Sequence, residues 1–291
     1  MSGQARKVIQ SSGKQLTAFI VMTLIVVGCA APAKPSPTAA VVDCTQRGPG
    51  VNLTGCDLRG ADLSGLDLTG AVLNGANLVG ANLSKAVLTK TSFVDANLVG
   101  ANLESSSGES ADFESASLAN ASLVSGVFTN ANFALSDCSE ANMSEGTFTG
   151  ANFNNAALTW ATATGASFVG ATFNIANLEY AILKDADFSR ADMTRGTFSS
   201  ADVRGALFRD ANLRYSRFGW VIAWGADFTR ADLRDAYISQ GLEAAKSGQK
   251  IIFYSADLRG ANLEFFREFW FTDSRGAKLS GALMPDGTKH P

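Results

Sequence analysis

The sequence predicts an all-β solenoid, in which the chain winds through stacked coils over most of its 291 residues. A five-residue pattern runs in one phase from 51 to 240, which makes 38 repeats (190/5). The third position is Leu or Phe in 30 of these repeats and the first is Ala in 27. Because a five-residue repeat cannot bury its apolar side chain alone, successive coils must stack.

The period of the pattern excludes the ordinary elements of secondary structure. Five residues per period advance about 72° per residue, whereas an amphipathic helix needs about 100° and a half-buried strand 180°. The chain must therefore turn regularly, with positions one and three pointing inward and coils about 4.8 Å apart. Gly108 lacks a side chain at position three, where we expect a weak point with a local bulge.

The repeats resemble those of a known family. From residue 51 they read Val-Asn-Leu-Thr-Gly, Cys-Asp-Leu-Arg-Gly and Ala-Asp-Leu-Ser-Gly, and residues 256–265 resume the pattern. This resembles the pentapeptide-repeat family, A-(D/N)-L-x-x, over about two thirds of the chain. The resemblance implies a right-handed quadrilateral β-helix with four repeats per coil and about ten or more coils.

The N-terminal residues predict export and a lipid anchor. A basic stretch precedes the apolar run 16–27, which is too short for a membrane span of about 20 residues. The run ends in Val-Val-Gly-Cys, which resembles the bacterial lipobox and implies a diacylglyceryl group on Cys29. Residues 1–28 are then a disordered or helical lipoprotein signal peptide, and 29–43 a flexible tether. The alternative is an uncleaved signal anchor with an unmodified Cys29.

A lipid-anchored protein would be in the cell envelope, on the outer side of the cytoplasmic membrane or on the outer membrane. The folded body is expected to span 44–286, with a short helical excursion at 241–250 and a tail at 287–291. The segment 263–286 is expected to form an aromatic C-terminal cap, since the open end of a solenoid must be covered. A homodimer interface, which the family resemblance implies, is the alternative for the cap residues Phe265, Phe266, Phe269, Trp270 and Phe271.

The cysteines do not form a metal-binding pattern. Their spacing fits no zinc or iron–sulfur site. Cys44 and Cys56 bracket the start of the repeats, where either a disulfide or two buried thiols would fit an exported protein. Cys138 is at a core position and is expected to be an inert thiol.

Little in the sequence suggests catalysis. The only histidine, His290, is next to the C-terminus, so a Ser-His-Asp triad, a Cys-His pair and a histidine-rich metal site are excluded. Asp and Asn recur at position two of the repeat, which favours turn formation over acid–base chemistry or metal binding. We expect a protein that is not an enzyme and binds no metal or cofactor.

Charge is uneven along the repeats. Residues 91–180 contain nine acidic residues and no Lys or Arg. We interpret this section as a solvated surface and expect no nucleic-acid partner. The family resemblance also implies an alternative, an acidic rod that mimics DNA and inhibits a DNA-binding protein such as gyrase.

Aromatic residues are expected to form a strip on the outside of the rod. With 20 residues per coil, position five stacks at Trp160, Tyr180 and Trp220, with Tyr215 and Trp224 nearby. The strip is either covered by the excursion or exposed as a docking surface for an envelope protein or a glycan. The function expected is therefore a membrane-anchored rigid scaffold or protein-interaction module at the cell envelope.

Overall fold

The body of the protein is a repeat β-helix, as the five-residue pattern predicted. The computed structural model describes residues 42–238, 250–264 and 272–291. In nearly every repeat, position two forms a bridge to a neighbouring coil, and positions four and five make a turn. Extended backbone is therefore limited to single bridge residues, and the two longer strands are β1 (Arg217–Phe218) and β2 (Tyr237–Ile238).

The bridges define the coil. They are parallel and pair residues 20 apart, as in Asn52↔Val72 and Asp57↔Asn77. The strands β1 and β2 follow the same register, with Arg217 opposite Tyr237. Four five-residue repeats therefore separate each residue from its neighbour in the next coil.

Three backbone hydrogen bonds per repeat hold adjacent coils together. The N–H of position three donates to the next coil, as Leu53 does to the Val72 carbonyl at 2.7 Å. The N–H of position five does the same, and that of position two donates to the preceding coil. A fourth bond closes the corner, since position one donates to position three of the previous repeat, as from Ala61 to Leu58 at 3.0 Å. The backbone polar groups are thus paired without long strands.

The core is built from positions one and three. Leu fills position three in the first coils, and from Phe93 onward Phe shares this position with Leu. The Phe rings stack one per coil in columns, with Phe133 and Phe153 at 4.7 Å and 2° between planes. Neighbouring columns meet edge to face, as Phe148 and Phe153 do at 5.8 Å. Rings packed this way stabilise a coil beyond the burial of their area.

The expected weak point at Gly108 is not a bulge. The bridges Val87↔Ser107 and Ser107↔Val127 keep the ordinary register on both sides. The ring of Phe128 fills the vacant space, because a Cβ on Gly108 would lie 2.6 Å from its Cδ1. The prediction was wrong because it considered one coil alone, whereas a side chain from the next coil reaches over the glycine.

The register lengthens where the pattern lapses. Bridges such as Asp227↔Ile252 span 25 residues instead of 20, and the next coil spans 21, as in Ile252↔Asp273. The excursion expected at 241–250 lies outside the described residues except for its last residue, Lys250. Coils on both sides of it stack in sequence, because the extra residues are accommodated within one coil.

Both ends of the described body are closed. At the N-terminal end, Cys44 and Cys56 form a disulfide, and the Gly50 N–H donates to the Thr69 carbonyl at 2.8 Å. At the other end, residues 287–291 differ from the tail that was expected, since Lys289 forms an antiparallel bridge with Leu283. This hairpin pairs part of the exposed edge of the last coil, where unpaired strands invite association.

Candidate interaction surface

The corner at position five carries the main aromatic surface, which we call the aromatic column: Trp160, Tyr180 and Trp220. The Tyr180 N–H donates to the Ser199 carbonyl at 2.9 Å and the Ser200 N–H to the Gly219 carbonyl at 2.7 Å, so these corners follow one another in successive coils. The side chains of Trp160, Tyr180 and Trp220 are 58%, 43% and 62% exposed. The rings of Trp160 and Tyr180 stack at 4.3 Å and 7°.

The other two residues of the predicted strip have different surroundings. Trp224 is half-buried on the adjoining face, with the guanidinium of Arg204 4.8 Å from its ring. Tyr215 is at the preceding corner, where Arg195 and Arg214 lie 5.7 and 5.2 Å from its ring. The structure therefore brings the aromatic column together but places Tyr215 in another column.

Apolar and charged side chains border the aromatic column. Ile182 and Ile222, at position two of the adjoining face, are exposed. Between them lies Asp202, which accepts a hydrogen bond from Arg204 Nε at 2.7 Å. This hydrogen bond raises the pKa of Arg204 above its usual value, so the guanidinium stays charged. The surface is thus apolar with a fixed ion pair at its side.

Most of the position-two carboxylates and amides serve the turns. Asp187 accepts from the Ser189 N–H at 2.8 Å, and Asn152 accepts from the Asn154 N–H at 3.0 Å. In Asp62 the hydrogen bonds from Ser64 lower the pKa of the carboxyl below its usual value. Groups fixed in this way are poor candidates for acid–base catalysis. Among the described residues, no cluster of three metal-ligating side chains occurs.

About half of the arginines in the second half of the rod form ion pairs. Arg209 bonds Asp227 at 2.6 Å and Arg230 bonds Asp210 at 2.6 Å. In the acidic section, Glu104, Glu109 and Glu114 occupy position four of three successive repeats. These carboxylates therefore surround the rod as a girdle and do not form a row along it.

The remaining predicted residues divide into buried and undescribed ones. Cys138 is a buried free thiol, and burial raises its pKa to about 12, which makes it inert. Cys29 and the aromatic cap residues of 265–271 lie outside the described residues. None of the described residues belongs to a helix that could span a lipid bilayer.

Comparison with known proteins assigns the repeats. The family model described as Pentapeptide repeats matches in eight copies, at residues 49–75, 67–104, 111–150, 141–174, 176–210 and 211–240. The chain belongs to the pentapeptide-repeat family. A search of curated proteins with the sequence of this pentapeptide-repeat protein found no match.

Solved structures of the same kind are similar to it. One is HetL, a pentapeptide repeat protein involved in heterocyst differentiation regulation in the cyanobacterium Nostoc. HetL is 27% identical in sequence, the match covers 83% of this chain and 92% of HetL, and the TM-score is 0.26. QnrB1, a plasmid-mediated fluoroquinolone resistance protein, is 19% identical, with 79% and 88% covered and a TM-score of 0.43. A pentapeptide repeat protein of the Arabidopsis thaliana thylakoid lumen is 26% identical, with 38% and 77% covered and a TM-score of 0.27.

Sequence reasoning missed the apolar neighbours of the aromatic column. Ile182 and Ile222 occupy position two, where Asp and Asn are common in this pentapeptide-repeat protein. The signal was present in the sequence, because residues 40 apart at one repeat position lie two coils apart on one face. Comparing position two, as well as position five, at intervals of one coil would have identified them.

Proposed function

We propose that the protein is a rigid, non-catalytic interaction scaffold, lipid-anchored at Cys29 in the bacterial cell envelope. Its rod would be a right-handed quadrilateral β-helix of about ten or more coils. The rod holds side chains at fixed spacing and presents the aromatic column to a partner protein.

The anchor is supported by the sequence before the repeats. A basic stretch, a short apolar run and Val-Val-Gly-Cys ending at Cys29 resemble a bacterial lipoprotein signal. The Pro-rich residues that follow would hold the folded body away from the bilayer. A disulfide between Cys44 and Cys56 fits an oxidising compartment outside the cytoplasm.

The single observation that carries the scaffold function is the exposure of the aromatic column. Trp160 and Trp220 are more than half exposed, and the Trp160 N–H donates to the Glu179 carbonyl in the next coil at 3.0 Å. Large aromatic side chains held rigidly at a surface are enriched among the residues that dominate protein binding. They lose little conformational entropy when a partner covers them.

A DNA mimic that inhibits a DNA-binding protein such as gyrase is the second candidate. It is favoured by the nine acidic residues, and no basic ones, between 91 and 180. It is disfavoured by Glu104, Glu109 and Glu114, which surround the rod as a girdle, whereas the phosphates of DNA run in rows along the strands. A lipid anchor would also separate the protein from cytoplasmic DNA-binding proteins.

Labelling with radioactive palmitate tests the anchor. We expect label and membrane fractionation in the wild type and in Cys138→Ala, and loss of both in Cys29→Ala. Cys138 is the matched control because it is a free cysteine away from the signal. Soluble, unlabelled wild-type protein in the cytoplasm would refute the anchor and make inhibition of gyrase supercoiling the next assay.

A pull-down from solubilised envelopes tests the interaction surface. Replacing both Trp160 and Trp220 by Ala should reduce the recovery of envelope partners by about tenfold or more, as expected for residues that dominate an interface. Leu135→Ala is the matched control, since Leu135 is an equally exposed apolar corner residue in another column. Equal recovery with the double variant and the wild type would contradict the proposed role of the column.

A further inference from the structure

The aromatic column has one gap, at Ser200. Trp160 and Tyr180 stack in successive coils, the next coil places Ser200 at this corner, and the coil after that places Trp220 there. Tyr180 and Trp220 are therefore two coils apart, about 9.6 Å at the usual strand spacing of about 4.8 Å. One face of the Tyr180 ring is covered by Trp160, and the other points toward the level of Ser200.

One ring per coil is the packing repeat of this rod. In the core, Phe148, Phe168 and Phe188 stack at 5.1 and 4.9 Å. At the surface, Trp160 and Tyr180 stack at 4.3 Å. A ring at the level of Ser200 would contact Tyr180 with the same spacing and have Trp220 on its other side. We infer that this gap, the Ser200 slot, binds the aromatic side chain of a protein partner, an inference that rests on the proposed scaffold function.

The rings beside the Ser200 slot are free of the cations that cover other surface aromatics. Arginine lies over Tyr215, Trp224 and Tyr254, with the Arg275 guanidinium 6.0 Å from the Tyr254 ring. Within the residues that the structure describes, no guanidinium lies over Tyr180 or Trp220 in this way. Their surfaces can be covered by an incoming ring without first displacing a charged group.

Charges at the two ends of the Ser200 slot indicate the sequence around that partner residue. Glu179 precedes Tyr180 at one end, and Arg217 is on the face that leads to Trp220 at the other. Neither Glu179 nor Arg217 has an ion pair in the described part of the chain. The complementary partner is a segment with a basic residue on one side of its aromatic residue and an acidic residue on the other.

Glycans fit this arrangement less well than an aromatic side chain. Sugars bind to exposed ring faces, but Trp160 and Tyr180 cover one face of each other.

The excursion between Ile238 and Lys250 does not supply the ring, because its sequence contains no aromatic residue. The chain has five aromatic residues between 265 and 271, so a second copy is the competing occupant that the experiment must distinguish.

The inference is tested by a substitution that places an aromatic side chain of the protein itself in the Ser200 slot. Ser200 has φ 59°, and Trp160, Tyr180 and Trp220 have 62°, 60° and 58°. The backbone therefore already accepts aromatic residues at this corner, and Ser200→Trp should fold and complete the column. Ser200→Ala, which leaves the slot open, is the matched control.

Binding is measured by fluorine NMR on the full-length protein labelled with 5-fluorotryptophan, with the Trp220 resonance assigned by Trp220→Phe. The probe is the acetylated tripeptide amide Lys-Tyr-Asp, compared with the same peptide carrying cyclohexylalanine in place of tyrosine. We expect a saturable shift of the Trp220 resonance in the wild type and in Ser200→Ala. Binding should be weaker by about tenfold for the cyclohexyl peptide and for Ser200→Trp.

Each other outcome overturns the inference. No shift with the tyrosine peptide, or unchanged binding in Ser200→Trp, would mean that the slot does not accept a ring. A shift with chitotetraose but not with the peptide would make the surface a glycan site. Self-association that Ser200→Trp abolishes, seen by light scattering, would identify a second copy. The pull-down with the Trp160 and Trp220 double variant reports separately on the scaffold function, which can hold when the slot fails.

Discussion

Replacing Phe153 by Ala should weaken the rod at its centre. Phe153 is fully buried and stacks on Phe133 at 4.7 Å and on Phe173 at 4.8 Å. It also meets Phe148 and Phe168 edge to face at 5.8 Å. The truncation therefore removes four aromatic contacts at once.

The expected loss is at the upper end of the range for core truncations. Phe→Ala in a core costs about 3–5 kcal/mol, and the cost rises with the cavity that remains. Here the flanking coils are held at strand spacing by their bridges, so the cavity cannot collapse and we expect about 4–5 kcal/mol. Phe153→Leu is the matched control, since Leu53 and Leu73 fill the same column in the first coils, and it should cost only about 1.5 kcal/mol.

Equilibrium unfolding in urea, followed by far-UV circular dichroism, measures both variants. Since each coil contacts only its neighbours, the Ala variant should unfold at lower urea and can separate into two transitions, one for each half of the rod. A free energy of unfolding within about 1 kcal/mol of the wild type would refute the packing argument. Equal losses in the Ala and Leu variants would show that the stacking geometry, and not the filled volume, determines the stability.

Three further changes test the corners, the N-terminal end and the charges. Gly165→Ala and Gly205→Ala act at corners of one column with φ +66° and +68°, where a side chain is strained by about 1–2 kcal/mol. The exposed Asp185 carboxylate that a Cβ on Gly205 would meet can rotate away, so we expect the two variants to show a similar fall in melting temperature. Cys56→Ser opens a disulfide with a sequence separation of 12 and should cost about 3 kcal/mol in chemical unfolding, an effect that a reductant reproduces in the wild type. Burial raises the pKa of Asp227, but side-chain hydrogen bonds outweigh it and hold the pKa below its usual value. The ionised Asp227 therefore contributes its full stabilisation above the pKa of an unfolded Asp, and this contribution is lost as the pH falls through the folded pKa. Asp227→Asn should make the stability of the protein less dependent on pH in the acid range. An unchanged pH dependence would contradict this.

Much of the fold could be predicted because the repeat restricts its own packing. A period of five with Leu or Phe at position three and Ala at position one leaves two inward positions, and Ala71 and Leu73 are fully buried as that pattern requires. Asp and Asn at position two were predicted to serve turns, and Asp67 accepts the Thr69 N–H at 2.9 Å. These are local relations within one or two repeats, so the sequence alone contains them.

What could not be predicted depends on contacts between coils. Phe128 fills the space beside Gly108 because its ring leans across from the next coil, 20 residues further along the chain. The Arg204 guanidinium lies over Trp224 in the same way, and Arg195 over Tyr215, so two residues of the predicted strip are covered by cations. The C-terminal hairpin pairs Lys289 with Leu283 at the edge of the last coil. A five-residue pattern carries no information about such neighbours unless it is also compared at intervals of one coil.

The corners are therefore where this rod can carry specificity. Positions one and three are restricted by the core and position two by the turn, whereas position five points outward and needs only a backbone with positive φ. Glycine meets that need without strain, and Gly60, Gly80 and Gly100 occupy this corner in the early coils. The same corner holds Trp160, Tyr180 and Trp220 later, although bulky residues are disfavoured at positive φ by about 1–2 kcal/mol relative to glycine. Aromatic residues that cost stability and remain exposed at the surface are best explained by a partner that covers them.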